Sequence, residues 1–423
     1  MSPARRIAVI GAGAAGLCAA RNILSKPHFT PVVYEGTNHV GGTWFFTEQT
    51  GKDEYGIPIH SSMYKNLRTN LPKQVMAFPD FPFNKSLPSF IKHTDVLNYL
   101  ESYCDEYKLR NHIEFSTLVE KVEPLEPDNR FTKWEVTTYH VSTKQTSRNI
   151  FDGVMVCNGH FSVPRVPDIE GMSDFQGRLL HSHEYRSPQD FENRTVVILG
   201  AKSSGTDIAL DLAPHSTKVV MSHKGSQFKS ELPSNVEERP VPLRFTQTGV
   251  DFVDGTHIEC DVFMFCTGYK YTFPFLGNLV SVDNNRITPL YKHLINIKYP
   301  TLSLIGVCCI ICPFPQFHCQ VNYAISLMDG SAKLLSEEEM LEDEKQDFQA
   351  RIESGLPPRH AHLMGHRQWD YNNDLADLGG NERITDNVRL LYDLCHRRRT
   401  FNLMLYKNDE YDLSGAGNFY KVD

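Results

Sequence analysis

The stretch "VVILGAKSSGTDIALDL", residues 196–212, runs an apolar segment rich in β-branched residues into Gly200 and places Gly205 five residues on, just before a helix-forming run. The spacing is that of the G-x-G-x-x-G turn, which carries a chain from strand to helix over a dinucleotide pyrophosphate. Its middle glycine lets the backbone approach the phosphates, and here that position is Lys202. A lysine Cβ crowds the closest approach unless the side chain turns outward. In that case its charge stands near two anionic phosphates and offsets the lost contact. The stretch is therefore read as a working site of shifted geometry.

A related stretch opens the chain. "RRIAVIGAGAAGLCAARNIL" carries Gly11, Gly13 and Gly16 between a strand pattern and a helix pattern. Two arginines followed by apolar and small residues also resemble a secretory signal. A signal requires neither the glycine spacing nor the acid that ends the next apolar run, Glu35 in "PVVYE", 24 positions after Gly11. A carboxylate at that strand tip accepts both ribose hydroxyls and repels a 2′-phosphate, which suits the adenosine of FAD or NAD. The matching strand of the second unit, "STKVVMSHKGS", ends in Ser222, His223 and Lys224 without an acid. A hydroxyl, an imidazole and an ammonium suit the 2′-phosphate of NADP(H), although taken alone "SHKGS" reads as a solvated loop.

Two sites of different type point to a flavoprotein fed by NADPH, with an α/β fold of two Rossmann-like dinucleotide-binding domains. A further echo, "FDGVMVCNGH" (151–160) and "CDVFMFCTGY" (260–269), supplies a strand leaving each unit toward the domain junction. It sets the expected boundaries. Residues 1–163 form the first part of the FAD domain, 164–272 an inserted NADPH domain, and 273–423 the rest of the FAD domain with C-terminal helices.

Composition narrows the function classes. The chain has 423 residues and a formal net charge of -8, so the clustered cations that nucleic acid demands are missing. Its ten cysteines lie mostly in apolar runs such as "GVCCIIC", which suits reduced thiols and a reducing compartment. No stretch is apolar for the roughly 18 residues of a membrane span, so the protein is expected to be soluble, without a membrane anchor and cytoplasmic. A homo-oligomer is compatible with the sequence.

On these residues the chain resembles the flavin-containing monooxygenases. "FQGRLLHSHEY" fits the family pattern F-x-G-x-x-x-H-x-x-x-[Y/F] through Phe175, Gly177, His181 and Tyr185. "GAGAAG", "GGTW" (41–44), "TNLPK" (69–73), "FPDFPF" (78–83) and "CTGY" follow in family order, and the resemblance covers roughly residues 5 to 325. It implies that NADPH reduces FAD, that O2 adds to the reduced ring, and that a C4a-hydroperoxyflavin oxygenates a tertiary amine or a sulfide. The shorter insect-type branch, with its alkaloid N-oxygenases, is the nearest in form, and small xenobiotics or alkaloids are the implied substrates.

The resemblance assigns residues as follows. Gly11, Ala12, Gly13, Ala14, Ala15 and Gly16 take the FAD pyrophosphate and Glu35 its ribose, while Gly42, Thr43, Trp44 and Leu71 lie near the flavin. Thr69 and Asn70 stand between flavin and nicotinamide, and the Asn70 amide is the catalytic group that holds the oxygenated intermediate. Lys202, Ser203, Ser204, Gly205, Thr206 and Asp207 take the NADPH pyrophosphate. Gln320 matches a family glutamine near the flavin, but Asn322 and Tyr323 replace the Arg-Trp pair that follows it in the family.

Plainer readings exist for several of these groups. Asparagine in a loop is commonly a turn former. His181, His183, His360, His362 and His366 lack a recognisable metal-ligand spacing, so no metal is expected. Cys309 and Cys312 have the C-x-x-C redox spacing in apolar surroundings that favour inert thiols, and Ser336 to Glu339 is a capping box on a solvated helix. A flavoprotein disulfide reductase using that cysteine pair and a nucleotide-binding redox sensor remain as alternatives.

Overall fold

The structure, a computed structural model, describes residues 4–413; residues 414–423, the end of the polar C-terminal stretch, lie outside the described residues. Its helices in chain order are α1 (Ala14–Leu24), α2 (Lys73–Met76), α3 (His93–Glu106), α4 (Ser203–Leu212), α5 (Pro313–Asp329), α6 (Glu337–Glu353), α7 (Gln368–Gly379) and α8 (Asp386–Phe401).

The strand Arg5–Ile10 lies between Phe29–Tyr34 and Gly153–Val156, parallel to both, with Val9 opposite Val33 and Met155. A strand buried on both faces reads as a continuous apolar run, and Ile7 to Ile10 is one. Among the described residues this sheet continues through Ile113–Glu114 on one side and Leu302–Leu304, Ile295–Asn296 and Leu290–Tyr291 on the other. It therefore draws strands from both ends of the chain.

The second sheet is built wholly from residues 178–265. Thr195–Leu199 lies between Lys218–Ser222 and Val262–Phe265, again parallel to both. Val236–Arg239 and Arg178–His181 close its two edges. Each unit also inserts a three-stranded antiparallel sheet before its exit strand, at 117–151 in the first and 242–259 in the second. The connections into and out of the second unit run side by side. Pro164 and Tyr269 form an antiparallel bridge, and Arg165 N–H donates to the Gly268 carbonyl at 2.9 Å.

Both glycine turns lie where the chain steps from one side of the nucleotide strand to the other, the switch point at which open α/β sheets bind ligands. The closing glycine has the same job in both. A Cβ at Gly16 would stand 1.8 Å from the Gly11 carbonyl oxygen, and one at Gly205 would stand 1.7 Å from that of Gly200. Only glycine lets helix and strand pack this closely. In α6 the expected cap is formed: Ser336 Oγ accepts from Glu339 N at 3.1 Å and Glu339 Oε2 from Ser336 N at 2.7 Å.

Candidate functional site

At the first turn Gly13 caps α1, with no side chain bonded to the first-turn amides and no acid in that turn. The N-terminal N–H groups and the positive end of the helix dipole are thus open to an anion. A Cβ at Gly13 would come within 3.5 Å of Gly42 Cα, so the cradle is narrowed by backbone from the "GGTW" loop. Glu35 is held at the strand tip: Oε2 accepts from Ala12 N at 2.8 Å, and Oε1 accepts from Thr37 N at 2.9 Å and Thr37 Oγ1 at 2.8 Å. Its orientation is set before any ligand arrives. Thr43 and Trp44 sit on a short turn of 3-10 helix. Its Thr43 carbonyl accepts from Ser61 Oγ at 2.9 Å, and Trp44 meets Phe314 of α5 edge-on. These groups fit the pyrophosphate and ribose of a flavin dinucleotide.

At the second turn Lys202 is the N-cap of α4, in extended conformation, so its backbone needs no glycine there. The side chain is exposed. Its charge opposes the burial that raises the Cys309 pKa and adds to the burial that lowers that of His360. The ammonium therefore leans toward those residues. Ser203 is half-buried and Ser204 exposed at the first turn, whereas Thr206 is fully buried and its hydroxyl, expected on the pyrophosphate, is spent on the Lys202 and Ser203 carbonyls and on Arg399. Asp207 Oδ2 is held by Lys407 Nζ at 2.6 Å and by the Tyr64 hydroxyl at 3.3 Å, which neutralises an acid that would otherwise repel phosphate.

The strand tip of this unit requires correction. Ser222 is fully buried and its hydroxyl donates to the Pro240 carbonyl at 2.7 Å, so it is spent inside the sheet. His223 Nε2 lies 2.9 Å from Glu238 Oε1, a carboxylate on the neighbouring strand. The tip is free of acids along its own strand but not in space. Lys224 alone of the three is exposed.

Asn70 lies on a bend between the units. Thr69 before it is pinned to Ile91 through N–H···O at 2.8 Å and through its hydroxyl, and Leu71 after it is buried. The Asn70 carbonyl accepts from the Cys395 thiol of α8 at 3.8 Å, and its side-chain amide makes no hydrogen bond to another described residue. A polar group free in this position is available to a ligand.

One other assignment changes, and the reading of Cys309 and Cys312 as inert thiols stands. Gln320 is fully buried; Oε1 accepts from Gly306 N at 2.9 Å and Nε2 donates to the Tyr371 hydroxyl at 2.9 Å. Its amide is consumed in holding the turn after strand Leu302–Leu304, so it shapes the site and does not itself offer a free contact. Cys312 donates to the Val75 carbonyl at 2.8 Å and Cys309 lies elsewhere, beside Tyr271. Both are free thiols whose pKa burial raises, the wrong direction for a redox pair.

The identifying motif braces the second unit from within. His181 Nε2 is 3.0 Å from the Gly268 carbonyl oxygen, and the Tyr185 hydroxyl donates to Asp211 at 2.6 Å. Burial lowers the His181 pKa to about 4, so the ring is neutral near pH 7.

What the sequence reading missed comes from the end of the chain. Arg399 Nη2 donates to Thr206 Oγ1 at 2.9 Å and Nη1 lies 3.4 Å from Ser203 Oγ. Lys407 Nζ bridges Asp207 and the Arg68 carbonyl. The visible signal was "HRRRT" at 396–400, a basic run whose target lies nearly 200 residues away.

The chain matches the description flavin-binding monooxygenase-like over residues 4–231 and 228–384. It is 37% identical over 90% of its length to flavin-containing monooxygenase FMO GS-OX-like 2 of Arabidopsis thaliana, covering 86% of that protein. S-allyl-L-cysteine S-oxygenase from Allium sativum superposes with a TM-score of 0.89 at 33% identity, covering 96% of this chain and 95% of the other. Tmm from Pelagibacter sp. strain HTCC7211 superposes at 0.87 with 27% identity, over 98% and 95%.

Proposed function

The chain belongs to the flavin-binding monooxygenase-like family, a family of oxidoreductases, and on that premise we propose that it uses NADPH and O2 to oxygenate a nucleophilic sulfur or nitrogen in a small molecule. Residues 1–163 with 273–423 are taken as the FAD unit and 164–272 as the NADP(H) unit. The observation that carries the reading is the pair of strand–turn–helix units facing one junction, with an acid at the ribose position of the first and a lysine at that of the second.

When bound and reduced, flavin activates O2 and delivers one oxygen atom to the substrate, the other leaving as water. The protein's part is positional. The α1 amides and Glu35 fix the dinucleotide, and the α4 turn holds the nicotinamide nucleotide. Asn70 offers its free amide at the junction as a hydrogen-bond donor, with its carbonyl held by Cys395 of α8. The named S-oxygenase at 33% identity supports sulfides. The resemblance to alkaloid N-oxygenases supports tertiary amines, giving N-oxides.

The experiment is a turnover assay on the purified yellow protein. NADPH without oxygen should bleach it, and NADPH with oxygen should convert a sulfide or tertiary amine into a product one oxygen atom heavier. NADPH-driven release of two new thiols without substrate oxygenation would instead favour a disulfide reductase. Nucleotide binding with no oxygen consumption would favour a sensor.

A further inference from the structure

Arg399 stands where its charge is least at home. Its guanidinium faces the first turn of α4, the positive end of that helix dipole. The first turn of α4 holds no acid, and the Lys202 side chain before it is exposed. Asp207, the nearest carboxylate on the helix, is already paired with Lys407 at 2.6 Å. Next to it in sequence, Arg398 pairs with Asp409 at 2.7 Å, whereas Arg399 makes no ion pair with any described residue. A guanidinium and a helix N-terminus thus face each other with no acid in that first turn.

The hydroxyls of Ser203 and Thr206 orient the guanidinium without neutralising it. Thr206 Oγ1 also donates back to the Lys202 carbonyl at 3.1 Å, so its lone pair is left for Arg399. A guanidinium carries five N–H donors in a planar fork matched to phosphate oxygens. Two are engaged here. One helical turn earlier on the same face of α8, Cys395 reaches the Asn70 carbonyl. That spacing fixes Arg399 over the junction and not over outer surface.

We propose that Arg399 is a phosphate ligand of the second dinucleotide turn, supplied by the C-terminal helix and taking over the contact that the missing glycine at position 202 would have provided. This rests on the NADP(H) reading of that turn. The ligand chemistry is a dinucleotide pyrophosphate, bidentate on the free edge of the guanidinium.

The test is NADP+ titration of the FAD-loaded protein at several salt concentrations, followed by the change in flavin absorbance. In Arg399→Gln the Kd should rise roughly ten- to a hundredfold, and the dependence of Kd on salt should flatten, with flavin content and Tm unchanged. Arg399→Lys, which keeps the charge but loses the fork, should fall between wild type and Arg399→Gln. Unchanged Kd and salt slope in Arg399→Gln would overturn the proposal. So would a Tm lowered alike in both variants with Kd intact, because that pattern belongs to a structural strap. Wild-type protein that binds no NADP+ at all would overturn the NADP(H) reading itself, and the proposal with it.

Discussion

The two glycine turns share a plan and differ in where their chemistry comes from. In the first, the closing glycine, the carboxylate of Glu35 and the Gly42 backbone across the groove all lie between Gly11 and Trp44. In the second, the turn itself supplies amides, the Ser203 and Ser204 hydroxyls and the exposed Lys202, and the other charges arrive from elsewhere. Arg399 and Lys407 come from the end of the chain, and Glu238 comes from a neighbouring strand. On the proposed function, that difference is the one expected between a retained cofactor and a co-substrate that enters and leaves. A cradle closed by local backbone is formed whenever its domain folds, whereas one assembled across a junction can be altered by anything that moves the C-terminal strap.

The largest effect should come from the closing glycines, and it separates the turns. Gly16→Ala drives a Cβ into the Gly11 carbonyl, so the variant should be recovered without flavin, colourless by absorbance. Gly205→Ala makes the equivalent clash in the other unit. It should stay yellow while NADP+ affinity falls about a hundredfold or more. Loss of flavin in both variants would mean that the units do not bind independently.

Asn70→Ala comes next. Flavin reduction by NADPH should be nearly unchanged while hydrogen peroxide replaces product. Loss of one hydrogen bond of roughly 1 to 3 kcal/mol corresponds to about 5- to 150-fold in the barrier it acts on. Coupling equal to wild type would remove the Asn70 amide from the chemistry.

The strand tip offers a smaller and sharper test. With Ser222 spent on Pro240 and His223 beside Glu238, the proposed preference for NADPH over NADH is expected to rest mainly on Lys224. Lys224→Asp should reduce the ratio of the two kcat/KM values about tenfold or more. Glu238→Gln should raise it a few-fold, since it removes an acid from beside the phosphate position. If Glu238→Gln leaves the ratio alone while Lys224→Asp abolishes it, His223 takes no part.

Lys202→Gly is expected to do least. The ammonium is exposed and leans toward Cys309 and His360, so its screened contribution to NADP+ binding should be worth a few-fold at low salt and vanish at high salt. A change comparable to that of Arg399→Gln would reverse the ranking of the two cations.

The sequence alone determined the paired strand–turn–helix units, the acid at Glu35, the parallel sheets and the family, because each is written in short-range patterns. Periodicity, glycine spacing and the residue at a strand tip act within about 25 positions, where backbone geometry leaves few alternatives. Tertiary structure decided how the side chains were spent. Gln320 and Ser222 are the right residue types for a ligand contact, yet both are consumed by carbonyl, amide or hydroxyl partners that only folding brings near. Likewise, the acid beside His223 and the cations at α4 come from other strands and helices, up to 200 residues away. The physical reason is that a buried polar group must find a partner wherever the fold provides one. That pairing is settled by strand order and helix docking, which no local pattern encodes.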